Sequence, residues 1–400
     1  MLLLLIISEF LTFAVIQIHL KGHSRTRYYL AMLFNTVLSI YLWALYIELN
    51  SFRGLYDDQF HIWLKMSFNG ALCAIFIPRI ILIGFHFAGM LIKIKEGGHI
   101  RKLTDAGFVL WFIIFGVVVY GSAYGRFDVR TEEVTIHKES LHPDLEGFTI
   151  ALISDLHLAG FYNHQKFLKK QMEVINSYSP DIVVNSGDFV SYGWRESNGM
   201  DTILAVAYGR LGNYAVFGNH DMGTYLPAAD YTERESNILM IRDFIHKAGY
   251  QLLTDNNVII RKGEASVSIA GITTRGRHGH IKYGNLSKAL EGTENADFRI
   301  LISHDPNHWR KEVAGKTGVD LTLAGHTHGM QIGIFTKKFR WSPSRYFYPE
   351  WGGLYHEGGQ WLYVNRGLGV LGIPFRIWMP PEITIIRLTG NLQQKAISSF

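Results

Sequence analysis

Four apolar runs in the first 124 residues limit what this chain can be. They fall at about 1–20, 29–49, 68–92 and 106–124. Each is long enough for the roughly 20 helical residues that cross a bilayer core. The stretch 75–91 is apolar nearly all round, whereas a helix on the surface of a soluble domain keeps a polar face. Residues 1–124 are therefore expected to form a transmembrane region of four helices. The first run has no basic segment before it and no small-residue cleavage site before Lys21. It reads as an uncleaved span, not a signal peptide.

Charge divides along the same boundary. The net charge of the 400 residues is +5; residues 1–122 hold ten Lys/Arg against six Asp/Glu, and the remainder 29 against 28. A nucleic-acid-binding domain would carry its basic excess on the soluble part, so no nucleic acid is expected as a partner; the lipid bilayer is. The single cysteine, Cys73, permits neither an intramolecular disulfide nor a thiolate zinc site.

Loop charge predicts orientation. The first loop carries Lys21, Arg25 and Arg27, and the third carries Lys93, Lys95, Arg101 and Lys102. The second has Arg53 and Lys65, diluted by Asp57 and Asp58. The first and third loops are expected in the cytoplasm. The N-terminus, the second loop and everything after about 124 are expected outside, in a multi-pass plasma (inner) membrane protein. Arg79 follows Pro78 inside the third span. A charge at that depth needs a partner or a route to the headgroups; it reads either as an internal site among the helices or as an end-of-helix Arg that reaches a headgroup or a partner such as Glu9 or Glu48.

From about residue 146 the pattern changes. Strand-like runs at 148–153, 182–184, 214–217, 267–270, 300–302, 321–324, 361–364 and 383–388 alternate with helix-like stretches at 165–178, 198–210, 234–247 and 306–314. This alternation predicts a layered α/β domain over 147–400, with 125–146 as the linker leading into it. Five of the runs end in metal-capable clusters. They are Ser154-Asp155-Leu156-His157, Asn185-Ser186-Gly187-Asp188, Gly218-Asn219-His220-Asp221, Ser303-His304-Asp305-Pro306 and Gly325-His326-Thr327-His328. The carboxyl ends of strands in such folds converge on one rim. The glycines suit tight turns off the strand ends. Carboxylate, imidazole and amide oxygen without thiolate suit Mn, Fe or Zn. Two such ions about 3.5–4 Å apart clamp both oxygens of an in-line displacement at phosphorus, and a bound water's pKa drops from 15.7 to about 7.

The ordered set Asp155-x-His157, Gly187-Asp188, Gly218-Asn219-His220-Asp221, His304 and Gly325-His326-Thr327-His328 resembles the calcineurin-like metallophosphoesterase signature over roughly 147–330. The resemblance implies a four-layer α-β-β-α sandwich and two divalent or trivalent metal ions. It assigns Asp155, His157 and His328 to the first metal, and Asn219, His304 and His326 to the second, with Asp188 bridging. It makes His220 the general acid beside the leaving group, oriented by Asp221, with a metal-bound hydroxide as nucleophile. The pieces Gly325-His326-Thr327-His328-Gly329-Met330-Gln331, Leu362-Tyr363-Val364-Asn365-Arg366-Gly367-Leu368-Gly369 and Pro381-Glu382-Ile383 resemble a membrane-anchored or exported bacterial branch, which often has Gly in place of Met330.

Two features stand outside this set. Arg275, Arg277 and His278, in Arg275-Gly276-Arg277-His278-Gly279-His280, form either a solvated basic loop or a phosphate grip. The aromatic stretch 339–355 suits a lid, a membrane contact or ordinary packing. The expected function is a membrane-anchored phosphohydrolase cleaving phosphate ester or pyrophosphate bonds of a phosphorylated small-molecule, lipid-linked or envelope substrate. The alternatives are a phosphodiesterase or nuclease on a soluble substrate, disfavoured by the near-neutral soluble part, and a non-catalytic metal-binding sensor or scaffold, for which His220 has no use. A tag placed after residue 400 should be accessible from outside intact cells; its protection would overturn the orientation.

Overall fold

The computed structural model describes residues 1–21, 24–52, 54, 57–96, 100–226, 230–276, 280–336 and 338–390. The chain forms two compact units.

The first unit holds the apolar helices Leu2–Leu20, Arg25–Ser51, Ile77–Glu96 and Ile100–Ala123, with part of the helix Gln59–Ala71. Among the described residues, four stretches are long and apolar enough to cross a membrane. The third starts at Gln59, earlier than the expected 68, and widens into a π-helical turn at Leu72–Phe76. Pro78 lacks an N–H and its ring would crowd the carbonyl four residues back; the widened turn sits where that strain falls. Arg79 is buried, and its guanidinium donates to the Asn35 carbonyl and side-chain oxygens and to Ser39 Oγ at 3.2, 2.8 and 2.7 Å. These oxygens on the second span take the hydrogen bonds expected of Glu9 or Glu48. Glu9 instead accepts from Trp43 Nε1.

The same unit contains residues 372–377, which the sequence assigns to the catalytic domain. Asn69 donates to the Gly372 carbonyl (2.7 Å), and the Arg376 amide donates to the Gly121 carbonyl (3.2 Å). Conversely, residues 55–63, from the loop between the second and third spans, belong to the second unit. There Asp57 is buried and pairs with Arg195, and Gln59 donates to the Glu196 carbonyl.

The second unit is built on two six-stranded sheets. The first runs Arg130–His137, Glu382–Thr389, Thr149–Ile153, Ile182–Asn185, Asn213–Ala215 and Gln251–Leu252; the second runs Gly353–Glu357, Gln360–Val364, Leu321–Ala324, Phe298–Ile302, Ala265–Gly271 and Asn256–Lys262. Strand side chains alternate between faces. Ile150, Leu152, Ile182 and Val184 meet Ile269, Ile300, Ile302, Leu321 and Leu323 between the sheets. Ala151, Ile153 and Val183 pack outward on Leu168, Met172 and Ile175 of the helix Gln165–Ser177, and on Ile241 and Ile245 of Tyr231–Lys247. Across the second sheet, Leu301, Ala324 and Leu362 pack on Trp309 and Val313. The result is four layers, helix–sheet–sheet–helix.

The structure corrects two local readings. The stretch 125–146 contains the strand Arg130–His137, in parallel register with Glu382–Thr389 over all eight residues, so this part of it belongs to the sheet rather than to a linker. Of the expected helix at 198–210, only Asp201–Leu204 is helical.

A buried ionic knot joins the sheets. Arg366 donates to Glu382 and to Glu132 (2.8 Å), and Glu382 also accepts from Tyr363 and Thr384. Removing one partner of a buried pair strands the other charge, at a cost of about 3–5 kcal/mol. Glu382→Gln is therefore expected to lower the unfolding temperature of the detergent-solubilised protein by several degrees; an unchanged transition would refute this role.

Candidate metal centre

All five expected clusters lie at the carboxyl ends of strands: Thr149–Ile153, Ile182–Asn185 and Asn213–Ala215 in the first sheet, Phe298–Ile302 and Leu321–Ala324 in the second. The main chain turns off these strands in an unusual way. Asp155, His157, Asp188, His326 and His328 all have φ between 41° and 72°. A left-handed backbone costs an L-residue roughly 1–2 kcal/mol, and such strain concentrates at functional sites.

The side chains gather into two groups. Asp155, His157 and His328 form one, and Asp188, His304 and His326 the other, with ligand atoms within 4.8 Å of one another in each. His157 Nε2 lies 3.1 Å from His328 Nε2, and His328 Nε2 lies 3.2 Å from Asp155 Oδ1. His326 Nδ1 is 3.2 Å from His304 Nε2. Asp188 Oδ2 stands between the groups, 3.1 Å from His304 Nε2 and 3.7 Å from His157 Nε2. Asn219 adds a buried Oδ1 that has no hydrogen-bond partner among the described residues. A buried amide oxygen left this way is costly, and a cation would satisfy it. The donor set of carboxylate, imidazole and amide oxygen fits hard or borderline metals.

Electrostatics point the same way. Burial alone would raise the Asp188 carboxyl, but His304, His220 and His157 hold it well below the usual carboxylate range. Burial and the neighbouring His304 push His326 down to about 4; burial and His328 also lower His157. Both imidazoles therefore offer lone pairs at neutral pH. Burial opposes protonation of His304 too, yet Asp188 outweighs it and carries His304 up to about 10. His304 Nε2 faces Asp188 Oδ2 within the second group, and a cation there would compete with a proton for the same lone pairs.

The far ring nitrogens are fixed by outer partners, as metal-binding histidines require. His304 Nδ1 bonds the Ser186 carbonyl (2.8 Å), His157 Nδ1 faces Ser191 Oγ (3.3 Å), and His326 Nε2 faces Tyr348 Oη (2.8 Å). Ser191 in turn is held by Glu196. This buried carboxylate accepts from the Ala159, Ser191 and Tyr192 amides and from Ser191 Oγ. Burial raises Glu196 to about 7 against the pull of those donors. Glu196, Ser191 and Tyr225 escape sequence reasoning because no motif marks them, whereas Tyr348 falls within the aromatic stretch 339–355.

His220 and Asp221 part company. His220 Nδ1 donates to the Ser191 carbonyl (2.6 Å), and its ring stacks on Tyr225 at 4.0 Å. The Asp221 carboxylate does not orient that ring. It accepts the amides of Asp188, Phe189, Val190 and Gly218 at 2.8–3.2 Å and so fastens the Asp188 loop. Of the basic loop, Arg275 is exposed on the short ribbon that pairs Thr274–Arg275 with Lys282–Tyr283. Arg277 and His278 lie outside the described residues.

Crowding explains a glycine better than turning does. Gly325 has no left-handed φ, but a Cβ there would lie 1.9 Å from Ser154 Oγ and 2.4 Å from Asp155 Oδ2.

Fold and site together define a metal-dependent phosphoesterase. The calcineurin-like phosphoesterase family model matches residues 148–330, so this part of the chain is a calcineurin-like phosphoesterase domain. The Bacillus subtilis protein named uncharacterized metallophosphoesterase YkuE is 29% identical over 289 residues, covering 69% of this chain and 93% of its own length. The Danio rerio transmembrane protein with metallophosphoesterase domain is 28% identical over 290 residues, 70% of this chain; the match spans 62% of that longer protein. The Chlamydia muridarum UDP-2,3-diacylglucosamine pyrophosphatase LpxG is 28% identical over 290 residues, covering 61% of this chain and 84% of its own length.

Gly325→Ala should displace Asp155, at an overpacking cost of about 1–3 kcal/mol. The purified variant is expected to keep its secondary structure by circular dichroism and lose most metal uptake by elemental analysis. Full uptake would show that the close approach is dispensable.

Proposed function

We propose that the protein is a membrane-anchored binuclear phosphohydrolase that cleaves phosphate ester or pyrophosphate bonds, with its catalytic domain outside the cytoplasm. The observation that carries this reading is the pair of Asp/His groups with Asp188 between them. Asp155, His157 and His328 would hold one cation; Asn219, His304 and His326 would hold the other, and Asp188 would bridge both. Such a pair supplies Lewis acidity toward phosphoryl oxygens and an activated water.

The chain's own groups do the rest. His220 lies outside both clusters, with Nδ1 committed as a donor to Ser191. Nε2 is the nitrogen left to pass a proton to the departing oxygen, and the Tyr225 ring against one face of the imidazole keeps it from swinging. Ser186, Ser191 and Tyr348 fix the directions of the histidine lone pairs.

Orientation rests on loop charge together with the partition of the chain. Four spans put the loop between the second and third on the same side as the domain, and Asp57 of that loop pairs with Arg195 within the second unit. The substrate reading is a phosphorylated headgroup at the membrane surface. The pyrophosphatase named for the Chlamydia relative supports a lipid-linked pyrophosphate.

With Mn²⁺, Asp188→Asn should abolish metal uptake and the hydrolysis of aryl phosphates together. His220→Ala should keep the metal and lose about 10²–10⁴-fold in turnover, most severely with poor leaving groups. A metal-loaded wild type that hydrolyses neither phosphate esters nor pyrophosphates would end this reading.

A further inference from the structure

A cavity of about 370 Å³ adjoins the metal centre. Tyr283, Tyr346, Phe347 and Tyr348 form its aromatic walls, and Asn307 and Lys311 its polar end. Two residues tie it to the chemistry. Tyr348 Oη meets His326 Nε2 at 2.8 Å. Asp305, which follows His304 in sequence, also lines the cavity and accepts from Tyr283 Oη at 2.9 Å. Whatever fills the cavity therefore lies beside the second Asp/His group.

The walls are unusual for a protein surface. Tyr346 is 71% and Phe347 53% exposed, although each carries a large apolar ring that burial would favour. Tyr348, next in the chain, is only 6% exposed and packs in a small core with Phe335, Trp351 and Met379. One rigid anchor thus holds two solvent-facing rings at the mouth of the cavity. The Lys311 ammonium sits over the Tyr283 ring at 5.3 Å, so the lining sets a cation beside an aromatic wall. The volume is at the lower end of the roughly 300–1,000 Å³ of small-molecule sites. It holds one ring with its substituents and is too small for an acyl-chain pair.

We infer that this cavity is a substrate subsite beside the second Asp/His group, and that it takes a flat aromatic ring with polar substituents, such as a nucleobase, carried by the ester whose phosphate sits at the metal centre. The ring stacks among the tyrosines, and Asn307 and Lys311 meet its polar edge. This inference rests on the phosphohydrolase reading and extends it from bond type to substrate class.

The test uses full-length Mn²⁺-loaded protein and two non-hydrolysable probes, phenylphosphonate and methylphosphonate, as inhibitors of aryl phosphate hydrolysis. Both should compete through the phosphonate. Phenylphosphonate should bind about tenfold more tightly, the scale of an aromatic contact. In the double variant Tyr346→Ala, Phe347→Ala that preference should collapse toward unity. Both side chains are exposed, and circular dichroism checks that the fold persists. Equal inhibition by the two probes in the wild type, or a preference that survives in the variant, would overturn the subsite while leaving the phosphohydrolase reading intact. A failure of both probes to inhibit a metal-loaded, active enzyme would overturn the subsite as well. A metal-loaded protein without hydrolytic activity would instead overturn the reading beneath it.

Discussion

Asp155 and Asp188 are carboxylates with essentially no exposure to water. Burying one ionised carboxylate costs several kcal/mol even after relaxation, and here two are held together in one small region. Much of the surrounding structure answers that cost. The His326 amide donates to Asp155 at 2.9 Å, and the His220 amide to Asp188 at 2.9 Å. Imidazoles from four loops crowd round, and left-handed turns bring them there. The Asp/His arrangement is stable as a place for positive charge, which makes the metal-binding reading a physical one as well as a family one.

The support extends outward in layers. Asp221 and Glu196 are also buried, but each is saturated with hydrogen-bond donors, and both serve as staples for the loops that carry Asp188 and Ser191. Behind the Asp155 loop, the amides of Leu368 and Gly369 donate to the Ser154 and Asp155 carbonyls at 2.9 Å. That brace continues from Asn365, which donates to Thr384 Oγ1, and from Arg366 in the ionic knot. The segment Asn365-Arg366-Gly367-Leu368-Gly369 therefore ties the two sheets together and presses the metal loop into place.

Legibility in the sequence followed locality. Each cluster was readable because strand and ligand adjoin in the chain, as in Leu321–Ala324 followed by Gly325-His326-Thr327-His328. The strand Arg130–His137 was not, because as an edge strand it buries only Ile136 and its Glu132 and Glu133 read as solvated. Its role depends on a partner about 250 residues away. Asp221, which the resemblance made the orienting partner of His220, accepts the amides of Asp188, Phe189 and Val190, more than 30 residues upstream, and partners that far away leave no local mark. The exchanges of 55–63 and 372–377 between the units left no mark in composition. Both are short, and their partners are set by tertiary packing. Arg79 was legible as a problem, but the Asn35 and Ser39 that answer it lie about 40 residues upstream and look unremarkable in an apolar helix.

The placement of Glu382–Thr389 has a consequence for biosynthesis. This strand lies between Arg130–His137 and Thr149–Ile153, so the sheet carrying the first metal-binding loop stays split until Glu382–Thr389 has left the ribosome. At about 5–20 residues per second, a nascent chain spends on the order of ten seconds or more between emergence of Asp155 and closure of the sheet. During that interval two strand edges are unpaired, and the Leu368–Gly369 brace does not exist. Ordering of the ligand set is therefore a late event, and a chain cut short before Glu382 would leave the membrane spans in place with the first sheet open.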